Sequence, residues 1–537
     1  MPSASIKEID SAFLQQSSKP KQAEKVWTML SLWKTAGILQ LSNKLLNITY
    51  NMSRAFRKVC HPSGDETLDL AKLLTSPVHI TNLMGAIEIQ FKTRARIRRR
   101  DAGNAVTAWV CRSFYNLEDT DHSNLNRFLS SLVERALFEL ETSYCLQLAE
   151  DGCTVEPQTL GRIASYYYLT HLTMRMFQSE LGPQSTIPEL IDVLTNASEY
   201  AELPVRHNED QLNSELSKSV PLEVNPHTLD SPHTKANLLL QCHFGRLPLP
   251  STDYNTDTKS VLDQAIRICQ AMLDVSADQG WLVTSLGIVT LVQMLVQGRW
   301  WTDNTLLTLP HLTPYHTHCF RSRAKGALLE TLPEVMETCE GRYPALADML
   351  KGELDTNHIE QVYAVLCKLP QIEVTFTLQG YWEGGDGCQE KRHIDTPLQG
   401  SRLQDQKWMS VHADQEYVLN VTLARINKNK KTDSKANAPR FPKPKDEGWF
   451  LIVGDVQNRD LVALKRVPFV RGRSSVQVSV FTPETPGRVI YTVYLMSDSY
   501  LGLDQQYDIH VDVTTPCIEA QVNTELAAEL NDLDFDS

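Results

Sequence analysis

At Pro370 the hydrophobic rhythm of this chain changes from a period of about 3.6 residues to a period of 2. A helix buries residues three and four apart, whereas a strand buries alternate ones, so the two halves cannot share one architecture. Beyond Pro370 the alternating sets are Val476, Val478 and Val480; Tyr491, Val493 and Leu495; and Tyr507, Ile509, Val511 and Val513. Each set marks one face of a strand. Before Pro370 the pattern is helical: Leu125–Leu137, Thr159–Phe177, Ile187–Tyr200, Thr234–His243, Lys259–Gln279 with apolar helix continuing to Trp300, and shorter segments over Ala327–Leu369. The fold class that follows is α+β and multidomain, with an all-α part followed by an all-β part.

At 537 residues there is room for roughly three to four domains. A net charge of −13 speaks against coating nucleic acid by bulk electrostatics but leaves room for a local basic groove. The 11 cysteines include no CxxC pair, which fits a reducing compartment. In such a compartment the sequons at Asn47, Asn51, Asn196 and Asn420 have no meaning. The first residues lack the apolar core of a signal peptide. Trp281–Val296 is too short for a membrane span and carries Thr284, Thr290 and Gln293, so it is expected as a buried helix. No membrane partner is expected.

Within Lys259–Gln279 the residues Val261, Leu262, Ala265, Ile268, Cys269, Met272 and Leu273 form a wide apolar face. Gln264, Arg267 and Gln270 recur every third residue and share a polar stripe. An arginine there can grip a phosphate, and the glutamines can bond sugar or base edges. The same stripe can equally face water, with Asp263 and Arg267 forming an exposed i,i+4 pair. The loop Asn427–Lys445 carries seven basic residues against one acid, Asp433. It fits a phosphate or acidic-partner contact as well as a solvated insertion between strands. The run Lys92–Arg100 is either a nucleic-acid or nuclear-localisation patch or a solvated basic loop.

His311, His316, His318 and Cys319 lack zinc-ligand spacing, and the stretch from Asp119 lacks the glycine and glutamate of a calcium loop. No metal or other cofactor is expected. Tyr166–Tyr168 are consecutive on a helix and point in different directions, so they mostly pack. No GxxxxGK[ST], DExH, GxSxG or HExxH motif occurs, so this chain is expected to hydrolyse no ATP and to be no enzyme itself.

A set of ordered blocks ties these parts together: Ser143–Cys145, Gly161–Leu169, Leu203–Asp210, Ser231–Ala236, the tract from Asp253, Gln297–Trp300, His412–Leu419, Lys445–Ile452 and Ser497–Ile509. From about Tyr115 to Val522 the chain resembles the second Sec-63-type module of the tandem-cassette helicases found in activating signal cointegrator complexes. The resemblance implies a helical bundle over 159–300, a helix-loop-helix over 301–369 and an immunoglobulin/fibronectin-like β-sandwich over 370–515. A helical linker at 111–158, remnant of a winged-helix boundary, would precede them, residues 1–110 stay unassigned, and 516–537 would be an acidic flexible tail. In that family a ratchet helix lines the single-strand channel, and it falls here on 259–279, which makes Gln264, Arg267 and Gln270 the nucleic-acid-binding residues.

The implied partners are single-stranded nucleic acid, bound weakly by this chain alone, and protein subunits of the activating signal cointegrator complex, with the sandwich as the expected protein-binding element. The implied settings are alkylation-damage repair, transcriptional coactivation and rescue of stalled ribosomes, in nucleus and cytosol. The alternative is a fragment of a complete ATP-dependent 3′–5′ helicase. A translocation factor of the endoplasmic reticulum is excluded, because it needs membrane spans and an HPD tripeptide where this chain has His61–Ser63, HPS.

Overall fold

The computed structural model describes residues 78–79, 131, 134–149, 154–321, 326–380, 382, 390–394, 408–427 and 434–516. The basic run Lys92–Arg100, the segment at Asp119, nearly all of residues 1–110 and all but the first of 516–537 lie outside them. Two compact units are present: Met1–Glu180 with Ala197–Glu199, and Leu181–Asn196 with Tyr200–Ser537.

In the first unit, β1 (Val78–His79), β3 (Thr154–Pro157) and β2 (Leu146–Leu148) form a small sheet in that order. Two of its strands fall in the stretch expected to be a helical linker. Helices α1 (Thr159–Tyr167) and α2 (His171–Glu180) follow. Gly161 of α1 lies against the Cys145 carbonyl, where any Cβ would collide, and Ser143 Oγ meets His171 Nδ1 at 2.9 Å. Of the three tyrosines expected mostly to pack, only Tyr167 is buried; Tyr166 faces solvent from α1, and Tyr168, which ends the helix in a left-handed conformation, is exposed as well.

The second unit opens with α3 (Ile187–Thr195), α4 (Glu209–Ser217), α5 (Pro232–Gly245), α6 (Thr252–Asp278) and α7 (Leu282–Gln297). At 27 residues α6 is the long helix of the bundle, roughly 40 Å from end to end. It starts at Thr252, earlier than the Lys259 expected from sequence. Ser251 supplies the start signal by accepting from the Tyr254 backbone N–H. The polar stretch TDYNTDT belongs to the helix because Tyr254, Asp257 and Thr258 lie on its buried face. The apolar segment expected as a buried helix is α7, packed against α6, α3, β8 and β11. Among the described residues no helix is long and apolar enough to cross a membrane.

The described residues of 301–369 hold two 3₁₀ turns and three short helices, α8 (Leu332–Cys339), α9 (Tyr343–Leu350) and α10 (Thr356–Leu366). They share a core of Leu306, Phe320, Leu332, Leu346 and Val362, to which Tyr500 and Leu503 from the β part contribute. The β part begins at β4 (Ile372–Gly380), with β5 (Glu390–Ile394), β6 (Met409–His412), β7 (Glu416–Arg425), β8 (Trp449–Asp455), β9 (Asp460–Val467), β10 (Arg473–Phe481), β11 (Gly487–Ser497) and β12 (Gln505–Thr514). One sheet has the order β10-β7-β4-β5 and the other β6-β12-β11-β8-β9. Alternate residues of both, among them Phe376, Val421, Leu451, Val493 and Val511, fill one core between them. The α+β architecture read from the change of period is the one observed.

Sandwich and bundle are joined by buried polar contacts. Gln293 on α7 donates to the Ser497 carbonyl at 2.7 Å and to Asp504 at 2.9 Å, and Gln297 donates to the Ser499 carbonyl at 2.6 Å. On β8, Gly454 leaves space for Leu282, whose methyl carbons would stand 2.6 Å from an added Cβ. The blocks at Gln297–Trp300 and Ser497–Ile509, far apart in sequence, are thus two halves of one joint.

Candidate nucleic-acid interface

Helix α6 carries the stripe. Val261, Leu262, Ala265, Ile268, Cys269, Met272 and Leu273 are all buried, as their spacing requires. Gln264, Arg267 and Gln270 are half-buried and occupy a single side of the helix, with Arg267 donating to Gln264 Oε1. The carboxylate of Asp263 meets Lys443 Nζ at 2.7 Å, a partner from the loop before β8. One turn beyond Gln270, Asp274 meets Arg466 of β9 at 2.5 Å, and Arg466 also reaches the Gln270 carbonyl at 3.4 Å. Both sandwich cations flank the stripe, each paired with a carboxylate of α6, so the surroundings of the stripe are built by two domains. Lys443, 69% exposed, keeps most of its surface in solvent while touching Asp263.

Sequence reading missed Lys443 as a neighbour of Asp263, and Arg466 altogether. The signal for Lys443 was the basic loop, whose placement depends on the α7 joint. For Arg466 there was none, since a lone arginine on an edge strand carries no pattern.

Helix α6 is held by a buried charge network. Lys235 of α5 is wholly buried, and its Nζ donates to Glu209 at 2.6 Å, to Asp257 at 2.7 Å and to the Pro204 carbonyl at 2.7 Å, over the face of Tyr254. Arg206 bonds the same two carboxylates at 2.9 and 2.7 Å. Burial alone would raise both carboxyls, but hydrogen bonds from Lys235 and Arg206 outweigh it and hold both below the usual range. The blocks Leu203–Asp210, Ser231–Ala236 and the tract from Asp253 are therefore one structure: they fix the N-terminal half of α6 against α4 and α5.

Among the four residues His311, His316, His318 and Cys319, the structure brings only the last two together. His311 stacks on His358 and bonds Gln361, and His316 bonds Thr313. His318, Cys319 and Glu353 offer ligand atoms within 4.8 Å of one another, and Glu353 was not foreseen. Two of the three are exposed, and such a partial set fits no structural zinc pattern.

With this geometry in view, the relatives of the chain are informative. The family model described as the Sec63 Brl domain matches residues 157–510, more than half of the sequence. The chain belongs to the Sec63 Brl domain family. It is similar to activating signal cointegrator 1 complex subunit 3 of Gallus gallus, 52% identical over 428 residues, which are 77% of this chain and 19% of that protein. It is likewise similar to the Homo sapiens protein of that name, 50% identical, with 78% and 20% covered. The U5 small nuclear ribonucleoprotein 200 kDa helicase of Mus musculus is 33% identical over 75% of this chain and 17% of its own length. The chain thus spans about a fifth of the curated relatives it matches. This Sec63 module is helicase-associated by kinship, and the resemblance to the C-terminal Sec-63-type module of the cointegrator subunit holds across bundle and sandwich.

Proposed function

We propose that this chain is a non-catalytic Sec63 module that guides a single strand of nucleic acid along α6 and offers its sandwich to protein partners. The observation that carries the reading is the half-buried stripe Gln264–Arg267–Gln270, flanked by Lys443 and Arg466 from the sandwich. Amides and a guanidinium on a fixed helix suit sugar, base edge and phosphate, and Lys443, mostly in solvent although paired with Asp263, can turn donors toward the backbone. Affinity rests on few contacts, so binding falls in the non-specific range of about 10⁻⁴ to 10⁻⁶ M. The similarity to activating signal cointegrator 1 complex subunit 3 supports other subunits of that complex as protein partners. The proposed settings are alkylation repair, coactivation and rescue of stalled ribosomes, in nucleus and cytosol.

Fluorescence anisotropy of labelled single-stranded DNA and RNA tests the strand contact. Arg267→Ala is expected to weaken binding by about fivefold or more at low salt. An isotherm that overlays the unsubstituted protein removes α6 as the contact. A second reading places the same stripe inside a complete ATP-driven helicase, supported by the chain's coverage of about a fifth of its relatives. Under it α6 forms one wall of a channel, and affinity rises when the ATPase parts are supplied.

A further inference from the structure

Three arginines from three elements converge beside the C-terminal end of α7. Arg246, which ends α5 in a left-handed conformation, donates from Nε to the Gly298 carbonyl at 2.9 Å and from Nη2 to the Gln297 carbonyl at 3.3 Å. Arg299 follows directly, only 6% exposed, and donates to the Leu307 carbonyl. Its Nε is buried with no acceptor among the described residues. Arg440 arrives on the loop before β8, which is tied down where Gln297 donates to the Asn437 carbonyl at 3.3 Å. Among the described residues Arg440 is exposed and makes no ion pair. Among the described residues the carboxylate facing the group is Asp303, 3.8 Å from Arg299.

Burial first lowers Arg246 and Arg299 to about 10; repulsion from Arg299 and Arg440 adds to it at Arg246, while at Arg299 the Asp303 carboxylate opposes it and Arg440 adds to it. Capping carbonyls accounts for part of what these groups offer, leaving a buried donor and an unpaired cation without an anion. Trp301, two residues past Arg299, is 39% exposed and gives the rim an aromatic face.

We propose that Arg246, Arg299 and Arg440 form a phosphate-binding notch for the backbone of a single strand, extending the track that begins on α6. The proposal rests on the reading of α6 given above. Its continuity comes from the loop: Arg440 and Lys443 are three residues apart, a reach of at most about 11 Å, and Lys443 is seated on Asp263 of α6. A strand lying along Gln264 and Arg267 therefore meets Lys443 and then the notch. Guanidinium groups suit this role because their forked donors match phosphate oxygens, and the exposed indole suits a base.

The test is anisotropy of the whole chain with a short fluorescent oligonucleotide over a range of salt, comparing Arg440→Gln with Arg267→Ala. Arg440→Gln is expected to weaken binding about fivefold for every sequence, and to flatten the slope of log K against log salt by about 0.7. Its melting temperature should not move, because Arg440 is exposed and unpaired. Arg440→Gln binding with unchanged affinity and slope while Arg267→Ala weakens it overturns the notch and leaves the α6 reading standing. Weakening by Arg440→Gln alone removes α6 and overturns the notch as an extension of its track. Loss of affinity for a glutamate-rich peptide, with oligonucleotide binding intact, makes the site a carboxylate receptor and overturns the proposal.

Discussion

Replacing Lys235 with methionine should unfold the anchorage of α6 while preserving side-chain volume. In the native protein the ammonium is wholly buried and contacts two carboxylates whose side chains are only 6% and 5% exposed. Deleting it leaves Glu209 and Asp257 beside each other with Arg206 as the remaining cation. Removing one member of a buried ion network costs about 3–5 kcal/mol, chiefly the desolvation of the charge left behind. A domain with total stability of about 5–15 kcal/mol would feel this strongly.

The pH dependence distinguishes this cause from simple packing. In the unsubstituted protein both carboxyls are held below their ordinary range, so their contribution is present above the unfolded pKa of about 4 and is lost as pH falls through the folded values. In Lys235→Met the folded values rise instead, so the penalty is full at neutral pH and vanishes on acidification. The stability gap between the two proteins should therefore narrow steadily from pH 7 toward pH 4. Urea unfolding followed by tryptophan fluorescence at several pH values measures it. The triple change Lys235→Met, Glu209→Gln, Asp257→Asn should recover most of the loss. A gap below about 1 kcal/mol at pH 7, or one unchanged by pH, would refute the reasoning.

Burial raises the Asp504 carboxyl to about 6, against hydrogen bonds from Ser497 and Gln293 that oppose the shift. A raised carboxyl stabilises the fold only at low pH, with the benefit lost as pH climbs through about 6, so Asp504→Asn should flatten the melting temperature between pH 4 and about 7. A profile identical to the unsubstituted protein counts against this. Gly502 has φ +80°, and a Cβ there would collide with Thr305. Gly502→Ala should cost about 2 kcal/mol or more, read as a lowered urea midpoint, whereas an unchanged midpoint would show that the turn relaxes freely.

The α+β division was legible because hydrophobic period depends only on local geometry, and the apolar face of α6 was legible for the same reason. The start of α6 was not. Thr252–Thr258 is polar and follows a proline-rich stretch, so it looks like a connector. Its Asp257 turns inward only because Lys235 and Arg206 await it from elsewhere in the bundle. Gln264, Arg267 and Gln270 could be found on one helix, yet their setting depends on Lys443 and Arg466, nearly two hundred residues away. Asp263 shows the same limit: its spacing suggested Arg267 as partner, and Lys443 takes its carboxylate in the folded chain. Local periodicity carries no information about partners supplied by another domain.

The central claim is that a single strand lies on α6 beside the sandwich loop. Photocrosslinking answers it directly: the whole chain is irradiated with oligonucleotides carrying photoreactive bases, and the joined peptides are identified by mass spectrometry. Crosslinks are expected in Thr252–Asp278 and in the loop residues 434–445. Crosslinks confined to residues 301–369 or to the outer strands of the sandwich, with none on α6, would contradict the account.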